Sequence, residues 1–464
     1  MATTGQIVPL EIPPATTNKE RLKVKYPFLC SDLSLTTGSK NPKGRLKSSI
    51  NFWKSIGSNE TICDVIENGY RIPFLSTPPT MSAGNNSSAR QQPNFVLEEI
   101  MNLLQTGRIL EVEEPPHIVN PLSVAKNNDG SFRLILDLSI LNKYVYKEHI
   151  KFEDWHIMEE YVKPLDFLFK FDISKGYHHV DIWEGHQTYL GFSWFIDGIQ
   201  KFYIFTVLPF GITTGPFIFT KVMRCLIKHW RSLGLRIVCF LDDGLCTAQS
   251  FNIAVTAAYR VKSDLISAGF VINDKKSVWI PTQNITWLGF HFSSERYTLE
   301  VTEERCLSLL GSVHTCLKNL PYTTPRKLAK ICGKIISTKL VLQNVVQLKT
   351  RRLYYAIDKG KTWDGRISMS NYPGAVSELK FWANEFRNMN IHYLAKEYKP
   401  TLLGASDASD TGIAAKITID GVDHSICKNL SLEKSQESST WRELYAVYHS
   451  ISSLVPIIKN RKLV

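Results

Sequence analysis

The sequence lacks any sign of a disulfide or zinc framework. Its nine cysteines, at 30, 63, 225, 239, 246, 306, 316, 332 and 427, are odd in number and never form a Cys-x-x-Cys pair. Several sit in apolar runs, Cys239 in IVCFL for example, as reduced thiols packed like small hydrophobes do. The opening MATTGQIVPLEIPP does not show the basic-then-apolar layout expected of a secretory signal. No internal repeat is visible. One charge-free run, Phe202 to Thr220, is long enough to span a bilayer, but it holds Pro209, Pro216, Gly211, Gly215 and four threonines. Such a run makes a poor membrane helix. The expectation is a soluble intracellular protein, cytoplasmic or nuclear, with no membrane partner.

What is present is enough to build a core. At roughly 100–200 residues per domain, 464 residues allow about three domains. Hydrophobic residues make up 44% and charged residues 21%, which excludes a wholly disordered, collagen-like or coiled-coil chain. Lys and Arg number 55 against 43 Asp and Glu, a net charge of +12. Residues 301–361 alone hold 12 basic and 3 acidic residues, or +9. Three quarters of the excess therefore lies in one segment of helical pattern, the footprint expected of phosphate-backbone binding.

Along the chain, residues 1 to about 48 read as a mobile arm and 76–94 as a polar loop, with a short helix and a strand between them. Regular order is expected from Asn94, an N-cap for FVLEEIMNLLQTG, in which Val96, Ile100 and Leu103 share a face. RILEV, PLSVAK, SFRLILDL, FLFKFDI, FYIFTVL and RIVCFL read as strands, and NNDG as a hairpin loop. ITTGPFIFTKVMRCLIKHWRSLG and AVTAAYRVKSDLISAG read as helices, and residues 300–392 as mostly helical, with Thr324-Pro325 a cap and first-turn pair.

Two strands deliver acids at their ends. In FLFKFD, strand alternation puts Leu168, Lys170 and Asp172 on the face opposite Phe167, Phe169 and Phe171. In RIVCFLDDGLCTA, apolar strands flank an Asp-Asp-Gly turn, and Val238, Phe240 and Asp242 share a face. If the strands are neighbours, Asp172 and Asp242 point the same way. They would repel unless a cation sat between them; oxygen-only ligands suit Mg²⁺, and two such ions suit phosphoryl transfer.

The succession LDLSILN (136–142), FDISKGY (171–177), LPFG (208–211), FLDD (240–243), INDKKS (272–277) and WLGF (287–290) resembles the reverse transcriptase motif series, in order, across roughly 95–295. NGYRIPF upstream and the form FLDDGL are most similar to DIRS-type, tyrosine-recombinase retrotransposons, with long-terminal-repeat elements the nearest competitor. The resemblance implies an α+β right-hand polymerase: an upstream segment (1–90), fingers and a ferredoxin-like palm (91–294), a helical thumb and connection (295–398) and a partial ribonuclease H-like domain (399–464). It implies that Asp172, Asp242 and Asp243 are the catalytic and metal-binding acids, holding two Mg²⁺ ions, with Mn²⁺ a substitute. By the same resemblance Tyr177 is the gate against a ribose 2′-OH, and Lys126 and Arg133 grip the triphosphate. Phe210 and Gly211 would lie beside the templating pair, Lys276 would protonate pyrophosphate, and Trp287, Leu288, Gly289 and Phe290 would hold the primer end. Lys126 and Arg133 are expected on one hairpin face if NNDG is a four-residue loop. The implied partners are an RNA template, a DNA primer, dNTPs and other parts of a retroelement polyprotein. Phe240 and Phe210 depart from the tyrosine and glutamine of many relatives, which bears on subfamily more than on activity.

The last residues resemble the start of a ribonuclease H domain. Asp407 and Glu443 match its first two metal-binding acids, although Thr440-x-x-Glu443 also reads as a helix capping box. A hairpin is expected at Asp420-Gly421, and a helix with Leu444, Val447, Ile451 and Leu454 inward. The third acid of that pattern is not present, so the expectation is a fragment without ribonuclease H activity. The alternatives are a catalytically silent nucleic-acid-binding relic of a retroelement, an RNA-copying RNA polymerase and a structural protein.

Overall fold

The computed structural model describes residues 28, 41–126, 130–394, 402–419 and 422–458, in two compact units, Met1–Tyr393 and Leu394–Val464. Most of the expected arm, the centre of the NNDG loop, the Asp420-Gly421 turn and the side chain of Leu454 lie outside the described residues.

In the first unit, helix α1 (Pro93–Gln105) buries Val96, Ile100 and Leu103. Its cap is Gln92 rather than Asn94, because Pro93 has its φ preset for the first turn. Strand β1 (Ile109–Val112) follows, then the hairpin β2 (Leu122–Lys126) and β3 (Phe132–Leu136). Strand β4 (Phe167–Asp172) precedes the hairpin β5 (Gly191–Ile196) and β6 (Ile199–Phe205), and β1 pairs with β6.

The chain then runs through α2 (Gly215–Ser232), β7 (Arg236–Phe240), β8 (Asp243–Ala248), α3 (Phe251–Ser267) and β9 (Val278–Thr282). Strands β9, β4, β8 and β7 lie side by side in that order, all antiparallel. With helices after the first and third strands, this is the ferredoxin-like arrangement. Helix α2 packs on β7, and α3 on β4, β8 and β9. Phe169 and Phe171 point into that layer and stack on Trp279, with centroids 6.1 and 6.3 Å away. The opposite face is covered too, because Leu168, Val238 and Leu245 on it are fully buried. A second small sheet covers it: β10 (Asn284–Trp287), β11 (Phe290–Ser293) and β12 (Thr298–Val301). The face opens only where β4 ends, at Asp172.

Helices α4 (Glu303–Lys318), α5 (Pro325–Ile336), α6 (Arg351–Asp358) and α7 (Pro373–Glu385) follow. As the Thr324-Pro325 step suggests, the Thr324 side chain accepts from the Lys327 N–H. The buried Glu378 carboxylate accepts the N–H groups of Arg352 and Leu353 at 3.1 and 2.9 Å, which ties α6 to α7.

Residues 41–48, expected in the arm, are ordered together with the helical segment that follows them. Residues 41–68 form short helices that bury Leu46, Trp53, Ile62 and Ile66, and Trp53 Nε1 donates to the Ala268 carbonyl at 3.0 Å. The strand expected after them reduces to isolated bridges at Tyr70 and Phe74, and the polar loop contains a helical turn, Ser87–Arg90. The aromatic and β-branched residues there are claimed by tertiary packing, which local pattern does not report.

The second unit is an antiparallel sheet of β13 (Leu402–Ala408), β14 (Gly412–Ile419) and β15 (Val422–Asn429), with α8 (Ser439–Ile458) packed on β13 and β14. Ile413, Ala415 and Ile417 alternate inward, and α8 meets them with Ala446 and Ser450. Leu444, Val447 and Ile451, expected inward, are 65%, 43% and 53% exposed. The small residues give the closer helix-to-sheet approach, and the large ones are left outside. The capping box at Thr440 is also displaced. Ser438 accepts from the Trp441 N–H, and Glu443 accepts from the Ser439 hydroxyl.

Candidate active site

The three aspartates come together through strand register. Asp243 is the residue directly opposite Asp172 across the β8–β4 ladder, and Asp243 also pairs with Phe240 of β7. Leu241 and Asp242 therefore form a two-residue turn, rather than Asp-Asp-Gly. Leu241 takes φ 55, in the left-handed region where a bulky side chain is costly and strain often marks a functional site. The Asp242 carbonyl accepts from the Ile173 N–H at 2.9 Å, and the Asp172 carbonyl from the Asn273 N–H at 2.8 Å. Both acids are thus fixed at one rim of the sheet. Gly244 is required beside them, because a Cβ there would lie 2.2 Å from the Phe171 ring.

The electrostatics match a cluster of anions without a full set of partners. Burial first of all, against the opposing pull of Lys170 and with Asp172 and Asp242 adding to it, pushes the Asp243 carboxyl up to about 7. Burial and then Asp172 also raise Asp242. Asp243 Oδ1 is buried with no hydrogen-bond partner, and such an atom costs free energy unless something absent satisfies it. Lys276 Nζ stands 3.9 Å from Asp172 Oδ2 and is 70% exposed, within reach of the acid and open to solvent. Among the described residues, no group of three His, Cys, Asp or Glu side chains is already closed around one point as a metal site. The donor set, two or three hard carboxylates with one orphaned oxygen, is still of the kind that fits Mg²⁺.

Asp172 divides two clefts. A cavity of about 540 Å³ is lined by Asp172, Asp242, Arg133, Phe210 and Lys276, among others. A second, of about 550 Å³, is lined by Asp172, Asp243, Lys276 and residues 284–286 of β10. The Tyr177 ring stacks on Phe210 with centroids 5.0 Å apart, and burial followed by Asp242 holds its hydroxyl up at about 12. Gly211 has φ 107, and a Cβ there would meet the Leu136 carbonyl at 2.9 Å. This close approach sets Phe210 beside the β2–β3 hairpin.

Lys126 and Arg133 do not share a strand face. Lys126 pairs with Phe132 and Arg133 with Ala125, so the loop has five residues and the register shifts by one. A one-residue shift turns a side chain to the other face. Arg133 lines the first cavity, and Lys126 does not appear in its wall.

Trp287 to Phe290 form a tight turn, with Leu288 at φ 47 and Gly289 at φ 77, and Trp287 pairs with Phe290. Trp287 Nε1 donates to the Asp243 carbonyl at 3.3 Å, and Arg305 lies 4.7 Å over the Phe290 ring while donating to the Gly289 carbonyl. This turn is both core and a rigid link between the acids and α4.

Sequence reasoning missed the floor of the first cavity. Arg108 is 2% exposed, donates to Thr106 Oγ1 and Asn102 Oδ1, and lies 3.1 Å from His178 Nδ1. Burial and that guanidinium lower the His178 pKa to about 3, so the ring is neutral and accepts. The histidines of GYHH were the available signal, but Arg108 stands 70 residues away in the chain. In the second unit, Asp407 and Glu443 are both exposed.

A palm sheet of this topology, with paired acids at one rim beside an aromatic-walled cavity, defines a right-hand nucleic-acid polymerase in form. Residues 124–292 match the family described as reverse transcriptase (RNA-dependent DNA polymerase). Over that segment the chain is similar to reverse transcriptase domains. The Tf2-3 and Tf2-7 transposon polyproteins of Schizosaccharomyces pombe are 23% and 22% identical over 247 residues, 53% of this chain and 17% of each polyprotein. The chain thus spans about a sixth of those relatives' length. In fold it is similar to the foamy viral protease-reverse transcriptase in complex with double-stranded DNA, at TM-score 0.55 and 16% identity, covering 89% of this chain and 87% of that one. The same protein bound to an RNA/DNA hybrid matches equally, over 56% of its length. Among the described residues, no helix is long and apolar enough to cross a membrane.

Proposed function

We propose that this chain copies RNA or DNA templates by adding dNTPs to a primer 3′-OH, as part of a retroelement polyprotein of DIRS type. The observation that carries the reading is Asp243 opposite Asp172 in register, with Asp242 at the adjoining turn and Asp243 Oδ1 buried without a hydrogen-bond partner. Asp172, Asp242 and Asp243 would hold the Mg²⁺ ions, with Mn²⁺ able to replace them. When bound, the metal lowers the pKa of the primer hydroxyl and neutralises charge developing on the triphosphate. The protein's own contribution is positioning. The cleft against β10 would receive the primer end, held by Trp287, Leu288, Gly289 and Phe290, and the cleft against Phe210 and Gly211 the nucleotide. Arg133, in the wall of the first cavity, would grip phosphates. Tyr177, braced by Phe210, would crowd a ribose 2′-OH. Lys276, exposed and near Asp172, would deliver a proton to pyrophosphate. The basic surface of residues 301–361 would track the template–primer duplex through its phosphates. A protein of this kind would work in the cytoplasm or nucleus.

Primer extension on an RNA template tests the reading. Mg²⁺-dependent dNTP incorporation, lost in Asp242→Asn, is expected. Salt-sensitive binding with no extension would instead favour a silent relic.

We further propose that the chain as given does not cleave RNA. Asp407 and Glu443 are exposed, and so are Leu444, Val447 and Ile451 of α8. RNA cleavage abolished by Asp407→Asn would overturn this.

A further inference from the structure

We propose that the corner made by the start of α5, the end of α6 and the loop at 360–366 binds single-stranded nucleic acid, with unpaired bases stacking on Trp363 and Tyr355. This site is separate from the acidic clefts, and the inference does not depend on polymerase chemistry.

The two rings are presented rather than stored. Trp363 is 56% exposed and Tyr355 54% exposed, although most large aromatics described in this unit are buried or half-buried. They are also held in place. The Trp363 carbonyl accepts from the Arg326 N–H at 2.9 Å, and Arg326 fixes Asp364 through two hydrogen bonds of 2.7 and 2.8 Å. The Tyr355 ring meets Tyr372 edge-on, with centroids 6.2 Å apart. Cations are interleaved with the rings: Arg326 lies 6.0 Å over Trp363 and Lys359 5.4 Å over Tyr355. Lys361 and Arg366 are exposed on the intervening loop.

This composition selects the ligand. An apolar protein partner would favour a patch depleted of Lys, and here each of the two rings has a cation over it. A duplex offers phosphates but hides its base faces in the stack, so it could use the cations and not the rings. An unpaired strand uses both. Cationic grooves with aromatic platforms are how single strands are bound without sequence preference.

The test is fluorescence anisotropy of a labelled oligothymidylate with the full chain, in EDTA so that no nucleotidyl transfer enters. Trp363→Ala and Tyr355→Ala should each weaken binding at least about fivefold, the scale of losing one base–aromatic stack. Trp363→Phe should keep most of the affinity, which separates a lost ring from a lost fold, and affinity for a blunt duplex should stay within about twofold. Unchanged single-strand affinity in both alanine variants would overturn the proposal. So would an equal loss for single strand and duplex, or competition by polyglutamate as effective as by unlabelled oligothymidylate, which would mark an acidic protein site. Primer extension on a template with a one-nucleotide overhang should proceed in Trp363→Ala, so failure of this proposal and failure of the polymerase reading are distinguishable.

Discussion

The chain presents carboxylates on two sheets, and the sheets treat them differently. On the palm, Asp172, Asp242 and Asp243 stand at a sheet rim whose two faces are covered, and burial raises Asp242 and Asp243. In the C-terminal unit, Asp407 faces solvent on a three-stranded sheet and Glu443 faces solvent on α8. Burial makes the palm acids costly without a cation, and that cost makes them a poised site. An exposed acid has no such need, because water already solvates it. Resemblance in motif is therefore a weaker indicator of chemistry than the layers around the acid.

The largest effect that could break this comparison is on turnover. Asp243→Asn should lower primer extension by about 10²–10³-fold, the scale of losing one electrostatic transition-state contact. Asp407→Asn should leave extension unaltered. If both variants extend equally well, the contrast between the sheets has no functional meaning.

Packing provides the next contrast. Leu245→Ala, in the fully buried palm layer, should cost about 2–5 kcal/mol by denaturant unfolding, while Ile451→Ala on α8 should change stability by no more than about 0.5 kcal/mol. A large cost at Ile451 would mean that its face is covered in solution.

Selectivity then sharpens the palm side. Tyr177→Ala should raise the ratio of ribonucleotide to deoxynucleotide kcat/KM by about tenfold or more, since the space behind the ring is walled by Phe210 and Phe219.

The smallest effect is in pH. His179 donates from Nδ1 to the Gly176 carbonyl and accepts at Nε2 from the Val271 N–H, and burial lowers its pKa to about 3. Its folded value lies below the unfolded one near 6.5, so its stabilisation is complete above about pH 6.5 and is lost as pH falls toward 3. The melting temperature should decline over that window, and His179→Gln should flatten part of the decline. An unaltered slope in the variant would place the acid sensitivity elsewhere.

Much of the palm was legible in the sequence because its signals are local. FLFKFD and RIVCF alternate at period 2, the two helices carry stripes near period 3.6, and Thr324-Pro325 caps where it should. The six motifs in order implied the sheet arrangement that the register then displays. What failed depended on a single residue of register or on distant packing. Lys126 and Arg133 were separated by one extra loop residue, and the turn at Leu241-Asp242 came one residue earlier than the DDG triplet suggests. Arg108 at the cavity floor and the helices of residues 45–68 are fixed by contacts far along the chain, as with Trp53 and Ala268. The inward face of α8 was misread because periodicity ranks large apolar side chains first, and this sheet accepts Ala446 and Ser450 instead.

The most direct measurement is titration of the chain with Mn²⁺, followed by electron paramagnetic resonance in the presence of template–primer and dNTP. Two bound ions per chain, with binding weakened in Asp172→Asn and in Asp243→Asn but not in Asp407→Asn, is the outcome expected of a palm-held pair. No bound ion in the unaltered chain, or the same binding in all three variants, would contradict it.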